Sequence, residues 1–231
     1  MPGPTYQEKR QIVARHELLG KLSDTEIDTL LKYSRVELYP AGEEIFAKDS
    51  PGNCLMLVLR GSVRVSSISL AGREIVLNII NAGHIVGEIA VLDGGPRTCD
   101  AVAMTDCELL VLNRRDVMPF LEKHAEICLM LIRILCERLR RTSEQVEDLV
   151  FRDVEQRIAK AVLQLCERFG RPGGESWVRE LHLSQSELAN IIGITRESVN
   201  KQLKAWQRAG FIDLAKESIT VIDPAALKQL I

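Results

Sequence analysis

Two rhythms divide the apolar residues of this chain. Up to about residue 113 they come in short runs such as "CLMLVLRG", "SVRVSSI" and "EIVLNII". Between the runs lie turn signals ending on Gly42, Gly52, Gly61, Gly72, Gly83 and Gly94, spaced by about ten residues. Evenly spaced short strands with glycine turns predict an all-β sandwich or small barrel over about 38–113, with short helices before it around 8–33.

The rhythm then changes. No glycine occurs from Asp116 to Val150, and Pro119 falls near the start of that stretch, where a helix tolerates it. Ile132, Leu135, Leu139, Thr142, Val146 and Leu149 step by alternating threes and fours, which is a heptad seam. A long helix over 116–150 is predicted. The chain offers no second helix of this kind, so a second copy of the chain is the expected partner. Thr142 interrupts the seam; Ser143 lies beside it and Arg138 one turn earlier.

Asp153 with Gln156 has the spacing of a capping box, so a new helix starts there. Phe151, Arg152 and Asp153 therefore read as a hinge. After the plain turn "RPGG", Ser184 with Glu187 opens a short helix that Gly193 ends, and Thr195 caps a second one running to about Arg208. Leu188, Ile192, Val199 and Leu203 would hold the crossing of a helix-turn-helix. "SWVRELHL" and "FIDLAKESITVID" read as strands of a winged variant. The expected fold class is α+β in two domains. Residues 1–115 form the barrel with its leading helices, 116–150 the dimer helix, 151–153 the hinge and 154–231 a winged helix-turn-helix.

Composition changes this picture little. The chain has 231 residues with 46% hydrophobic and 27% charged content, ordinary for a globular protein of two modest domains. "MPGPTYQEKR" lacks the apolar stretch of a signal peptide, and "ICLMLIRILC" is too short to span a bilayer, so a cytoplasmic protein without membrane contact is expected. None of the six cysteines forms a C-x-x-C pair, so no metal is expected and the thiols read as small buried hydrophobes. No Ser-His-Asp, H-E-x-x-H or P-loop pattern points to catalysis.

Charge changes it more. The net charge is only −2. Yet Thr195–Arg208 carries Arg196, Lys201, Lys204 and Arg208 against a single acid, Glu197. A local basic helix matters more to a duplex than whole-chain charge does, so double-stranded DNA is the expected partner of this segment.

"GEIAVLDGGPRTCDAVA", Gly87 to Ala103, places an isolated acid and an isolated arginine in an apolar segment. Such groups need partners. They could pair with each other. Alternatively, Gly87, Glu88 and Ile89 open a helical turn whose amides favour an anion, and Arg97 with Thr98 returns to the same spot after the Gly-Gly-Pro turn. Arginine, hydroxyl and amides suit a phosphate, and the lone carboxylate suits a sugar hydroxyl.

This segment resembles the phosphate-binding cassette of cyclic-nucleotide-binding domains. "RLRRTSEQVEDLVFRDVEQRIA" resembles the dimer helix and hinge of the CRP/FNR family of bacterial transcription regulators, and "ITRESVNKQL" resembles its recognition helix. The resemblance runs over about residues 20–222 and is closest to the cyclic AMP receptor proteins. It implies a β-roll (a cyclic-nucleotide-binding jelly roll) and cyclic AMP as allosteric effector. It also implies a homodimer on palindromic DNA with TGTGA-like half-sites, and RNA polymerase as a protein partner.

By resemblance Gly87 and Glu88 meet the ribose, Arg97 and Thr98 the cyclic phosphate, and Arg138 supports the phosphate side. Thr142 meets the adenine amino group, and Ser143 reaches the nucleotide of the other subunit. Arg196 and Glu197 match the base readers, which suit guanine and cytosine edges respectively. Ser184, Gln185, Thr195, Asn200, Lys201 and Lys204 complete the DNA-facing set. Three positions depart from the family pattern: Lys201 replaces a base-reading arginine, Cys99 stands where alanine is usual, and Asp100 puts an acid near the phosphate site. Other inputs stay open on the residues alone. Thr142 and Ser143 could equally serve guanine in cyclic GMP. Pro2 and His84 could mark a haem sensor, or the chain could act without any ligand.

Overall fold

A computed structural model describes residues 5–15, 20, 22–72, 74–172, 179–215 and 218–231. The chain divides into two compact units. One comprises Met1–Ile68 with Leu77–Leu139, the other Ser69–Val76 with Arg140–Ile231.

The first unit opens with α1 (Tyr6–Arg15) and α2 (Asp24–Lys32). Eight strands follow: β1 (Ser34–Tyr39), β2 (Glu44–Phe46), β3 (Cys54–Arg60), β4 (Ser62–Ile68), β5 (Glu74–Asn81), β6 (Ile85–Val86), β7 (Asp100–Ala103) and β8 (Cys107–Asn113). They form two four-stranded sheets, ordered β1-β8-β3-β6 and β2-β7-β4-β5. That is the sandwich of short strands that the glycine spacing predicts, in the jelly-roll form that the resemblance implies.

The near-continuous apolar run of β3 has a direct cause: the strand is buried on both faces. Met56 and Val58 enter the core between the two sheets, while Leu55, Leu57 and Leu59 face the helices. β8 behaves alike, with Leu109 and Val111 inward and Leu110 and Leu112 against the helices. A helix α3 (Glu88–Asp93) is inserted between β6 and β7.

The helix expected over 116–150 is two helices, α4 (Arg114–Leu121) and α5 (Ala125–Phe151). Pro119 lies inside α4, not at the start of the long helix. The chain breaks at His124, whose carbonyl accepts the Ile127 and Cys128 amides that open α5. The His124 ring stacks on Phe120 at 4.2 Å, and its nitrogens lie 3.2 Å from Glu26 and 3.1 Å from Glu126. Ile127, Met130 and Leu131 bury the start of α5 against the first unit. Farther along, Ile132, Leu139, Val146 and Leu149 remain 49–67% exposed in the single chain. The seam is therefore not buried within its own chain.

In the second unit α6 (Val154–Phe169) begins after Asp153, whose carboxylate accepts the Gln156 amide at 2.9 Å. "RPGG" is more than a turn: Arg171–Pro172 forms β9, paired with β10 (Arg179–His182), while Gly173 and Gly174 lie outside the described residues. α7 (Gln185–Ile192) and α8 (Arg196–Arg208) follow, then β11 (Ile212–Ala215), β12 (Ser218–Val221) and α9 (Pro224–Gln229). The four strands make one antiparallel sheet, β11-β12-β10-β9. Ile158, Val162, Leu188, Val199, Leu203, Trp206 and Ile219 share one core that joins α6, both helices of the motif and the sheet.

Candidate functional site

The cassette is built on β6 and α3. Pairing of Met56 with Val86 and of Leu57 with Ile85 fixes β6 on the inner strand β3, so Gly87 emerges at a defined point. Gly87 has φ 80°, and a Cβ there would lie 2.3 Å from Arg97 Nη1. Only glycine meets both demands, the left-handed backbone and the close approach of the guanidinium.

Glu88 and Arg97 are nearly inaccessible, 1% and 3% exposed. They do not pair with each other. Arg97 donates from Nη1 to the Gly87 carbonyl at 2.8 Å and from Nη2 to the Cys54 carbonyl at 2.7 Å, and its guanidinium carbon lies 4.2 Å over the Phe46 ring. Its backbone is held as well: the Arg97 amide donates to Ser50 O, and Asp49 N donates to Arg97 O. Glu88 Oε1 instead accepts from Arg138 Nη1, and Arg138 Nη2 donates to the Ile85 carbonyl. Arg138 thus reaches the cassette from α5 and meets it at the Glu88 carboxylate. Two buried atoms in this cluster, Glu88 Oε2 and Arg97 Nε, have no hydrogen-bond partner. Buried polar atoms are rarely left so, and these two leave one acceptor and one donor unsatisfied within the cassette.

Thr98 is exposed beside Arg97, and Ile89 is 37% exposed on α3. The two departures nearby are accommodated. Asp100 Oδ1 accepts the Lys48 amide at 2.7 Å, which engages the acid locally. Burial pushes the Cys99 thiol above its ordinary value, and Glu88 and Asp100 push the same way, so it stays protonated near neutrality. Thr142 and Ser143 are exposed on α5, at and just past one turn beyond Arg138. His84 is exposed in the turn before β6, and Pro2 lies outside the described residues.

The second cluster lies on α7 and α8. Ser184 caps α7, accepting the Glu187 amide at 3.2 Å, and Gln185 is the first helical residue. Gly193 ends α7 at φ 73°, and Thr195 caps α8, accepting the Ser198 amide at 3.2 Å. Val199, Leu203 and Trp206 form the buried stripe of α8. Helical periodicity then puts Glu197, Lys201, Lys204 and Arg208 on the opposite stripe, all exposed, with exposed Arg196 at the first turn and half-buried Asn200 at the margin. Among the described residues no ion pair engages Arg196, Lys201 or Lys204. These cations and the open helix start are what phosphates and base edges require.

Sequence reasoning found both clusters but missed several of their supports. Phe46 beneath Arg97, the Cys54 carbonyl and the placement of Arg138 on Glu88 carry no local signal, because the partners lie far away along the chain. The single available hint was the general need of a buried arginine for acceptors.

Residues 36–124 match the cyclic nucleotide-binding domain model and residues 156–230 the Crp-like helix-turn-helix domain model. A CRP-like cAMP-activated global transcriptional regulator of Mycobacterium tuberculosis is 34% identical over 218 residues, covering 94% of this chain and 97% of that protein. This chain belongs to the CRP/FNR family of transcription regulators. A cyclic AMP receptor protein of Thermus thermophilus is 32% identical, covering 92% of this chain and 95% of the relative. Among solved structures, the c-di-GMP responsive regulator CLP of Xanthomonas campestris superposes with a TM-score of 0.77 at 25% identity, over 86% of this chain and 99% of that one. The chain is accordingly a DNA-binding transcription regulator with a cyclic-nucleotide-binding domain, not an enzyme. No helix among the described residues is long and apolar enough to cross a membrane. No group of three or more His, Cys, Asp or Glu among them gathers as metal ligands would.

Proposed function

We propose that this CRP/FNR regulator responds to cyclic AMP and acts as a homodimer on a palindromic duplex. The carrying observation is the pair of unpartnered buried atoms in the cassette, Glu88 Oε2 and Arg97 Nε. Glu88 Oε2 is an acceptor suited to a ribose hydroxyl. Arg97, with exposed Thr98 beside it, suits the cyclic phosphate, a charged acceptor that forms stronger hydrogen bonds than the carbonyls the arginine now touches. Ile89, exposed on α3 next to Glu88, completes the proposed set.

Adenine is the proposed base. Two relatives covering nearly the whole chain are named for cyclic AMP, and Thr142 and Ser143 supply hydroxyls for the base edge. The exposed apolar row of α5 supports pairing with a second copy. On DNA, Arg196 and Glu197 read base edges of a TGTGA-like half-site, and Lys201 makes a point contact where an arginine would fork. Ser184, Gln185, Thr195, Asn200 and Lys204 hold the duplex. RNA polymerase is the protein partner that such a regulator meets at a promoter.

Side-by-side calorimetric titration with cyclic AMP, cyclic GMP and c-di-GMP tests the effector. Tightest binding of cyclic AMP is expected. Tighter binding of cyclic GMP overturns the choice of base, and no binding of any of them overturns the cassette. A Soret band in the purified protein would assign haem instead.

A further inference from the structure

α6 begins immediately after the Asp153 cap, and its second residue is Glu155. One oxygen of this carboxylate, Oε1, accepts twice: from Gln202 Nε2 at 2.7 Å and from the Trp206 indole Nε1 at 3.1 Å. Gln202 and Trp206 lie one turn apart on the inner side of α8, flanking Leu203, and Trp206 is 2% exposed. From the same stretch of α6, Arg157 Nη2 donates to the Ile192 carbonyl at the end of α7, at 2.6 Å. The start of α6 therefore grips both helices of the DNA-binding motif.

Beyond these, α8 packs through apolar Val199, Leu203 and the Trp206 ring, with one further side-chain hydrogen bond near its far end, from exposed Gln207 Nε2 to Asp213 Oδ1 at 3.2 Å. Apolar packing is not directional, and it resists rotation or slippage of a helix about its own axis weakly. Two charge-assisted hydrogen bonds to one oxygen, from donors one turn apart, restrict both motions. Lys201 is the neighbour of Gln202, and Arg196 and Glu197 lie on the same helix, so rotation of α8 would move every candidate base reader together. We infer that Glu155 is a positioning residue for base recognition: it sets the rotation and register of α8 and thereby the sequence discrimination of the protein. This rests on the reading of α8 as the base-contacting helix.

The test uses the full-length protein with cyclic AMP present. Its probes are the palindrome the parent selects from a randomised duplex pool and a scrambled duplex of equal length and salt. Non-specific affinity comes from phosphate contacts and tolerates small rotations, whereas base contacts do not. E155A is expected to weaken binding of the selected palindrome about tenfold and that of the scrambled duplex less than twofold. E155Q, which keeps an acceptor oxygen, is expected to recover most of the discrimination. W206F removes one of the two donors and leaves a smaller ring in the core, so a melting curve accompanies it, and an intermediate loss of discrimination is expected. Equal losses on both duplexes, or unchanged discrimination in E155A and W206F, overturn the inference while leaving DNA reading in place. A parent that selects no sequence from the pool overturns the base-reading assignment of α8, and the inference with it.

Discussion

Gly87 and Arg97 show how little room the cassette has at the scale of single residues. A methyl group on Gly87 would meet Arg97 Nη1 at 2.3 Å, and the φ of 80° already disfavours any side chain. Backbone strain of this kind costs about 1–3 kcal/mol. Gly87→Ala is expected to lower thermal stability modestly and cyclic AMP affinity by tenfold or more, because the guanidinium must move; calorimetry beside a melting curve separates the two effects. Arg97→Ala has a different signature. It would remove the proposed charge-assisted contact to the cyclic phosphate, worth about 1.5–3 kcal/mol, and it also leaves the Gly87 and Cys54 carbonyls without their donor. Cyclic AMP affinity should fall at least about tenfold. Wild-type affinity in this variant would place the ligand elsewhere.

At the scale of elements, α8 and the α5–α6 junction each carry a prediction. Arg196→Ala should cost about 1–3 kcal/mol on the selected palindrome and relax preference at one guanine. A uniform loss across all duplexes would make Arg196 a phosphate clamp. At the junction, the proposed hinge Phe151–Asp153 starts on the last residue of α5, and only Arg152 and Asp153 lie outside a helix. Asp148, in the last turn of α5, accepts from Arg152 Nε at 2.8 Å and pairs with Lys160 of α6. These groups are 22–27% exposed, more sheltered than typical surface pairs. A double-mutant cycle with Asp148→Asn and Lys160→Met should return a coupling of about 0.5–1.5 kcal/mol in chemical unfolding. A coupling indistinguishable from zero would remove Asp148 as a fastening of the hinge.

At the scale of the whole molecule, the proposal requires two copies of α5 to meet along the row Ile132, Leu139, Val146 and Leu149. A two-fold dimer then reads half-sites about 10–10.5 base pairs apart or a multiple of that. Ligand can change DNA affinity only by binding one arrangement of the paired helices better than another. Thr142 is the polar position in that seam. Thr142→Leu should strengthen DNA binding without nucleotide and reduce the response to adding it, measured by anisotropy on the palindrome at constant salt. Full ligand dependence in this variant would make Thr142 a register residue only. Linkage further requires that DNA raise cyclic AMP affinity by the same factor that cyclic AMP raises DNA affinity, about 5–150-fold for a typical coupling of 1–3 kcal/mol.

What the order of residues determines alone is what depends on near neighbours. Strand alternation, the heptad spacing, the Asp153–Gln156 and Ser184–Glu187 capping boxes and the left-handed turn at Gly193 are all legible, because backbone geometry relates residues two to four places apart. The two candidate clusters could be found for the same reason: each is anchored in one continuous segment. Tertiary structure alone decided which distant groups meet. Arg138 reaches Glu88 across 50 positions, and Glu155 receives Gln202 and Trp206 across 47 and 51. Long side chains of this kind have several possible acceptors, and only the closure of the intervening loops and the packing of both cores selects among them. The break between α4 and α5 has the same origin. His124 ends one helix and starts the next where its ring is held between Phe120, Glu26 and Glu126. Of these, Glu26 is brought there by α2 from nearly a hundred residues earlier in the chain, so no pattern local to 116–150 could announce it.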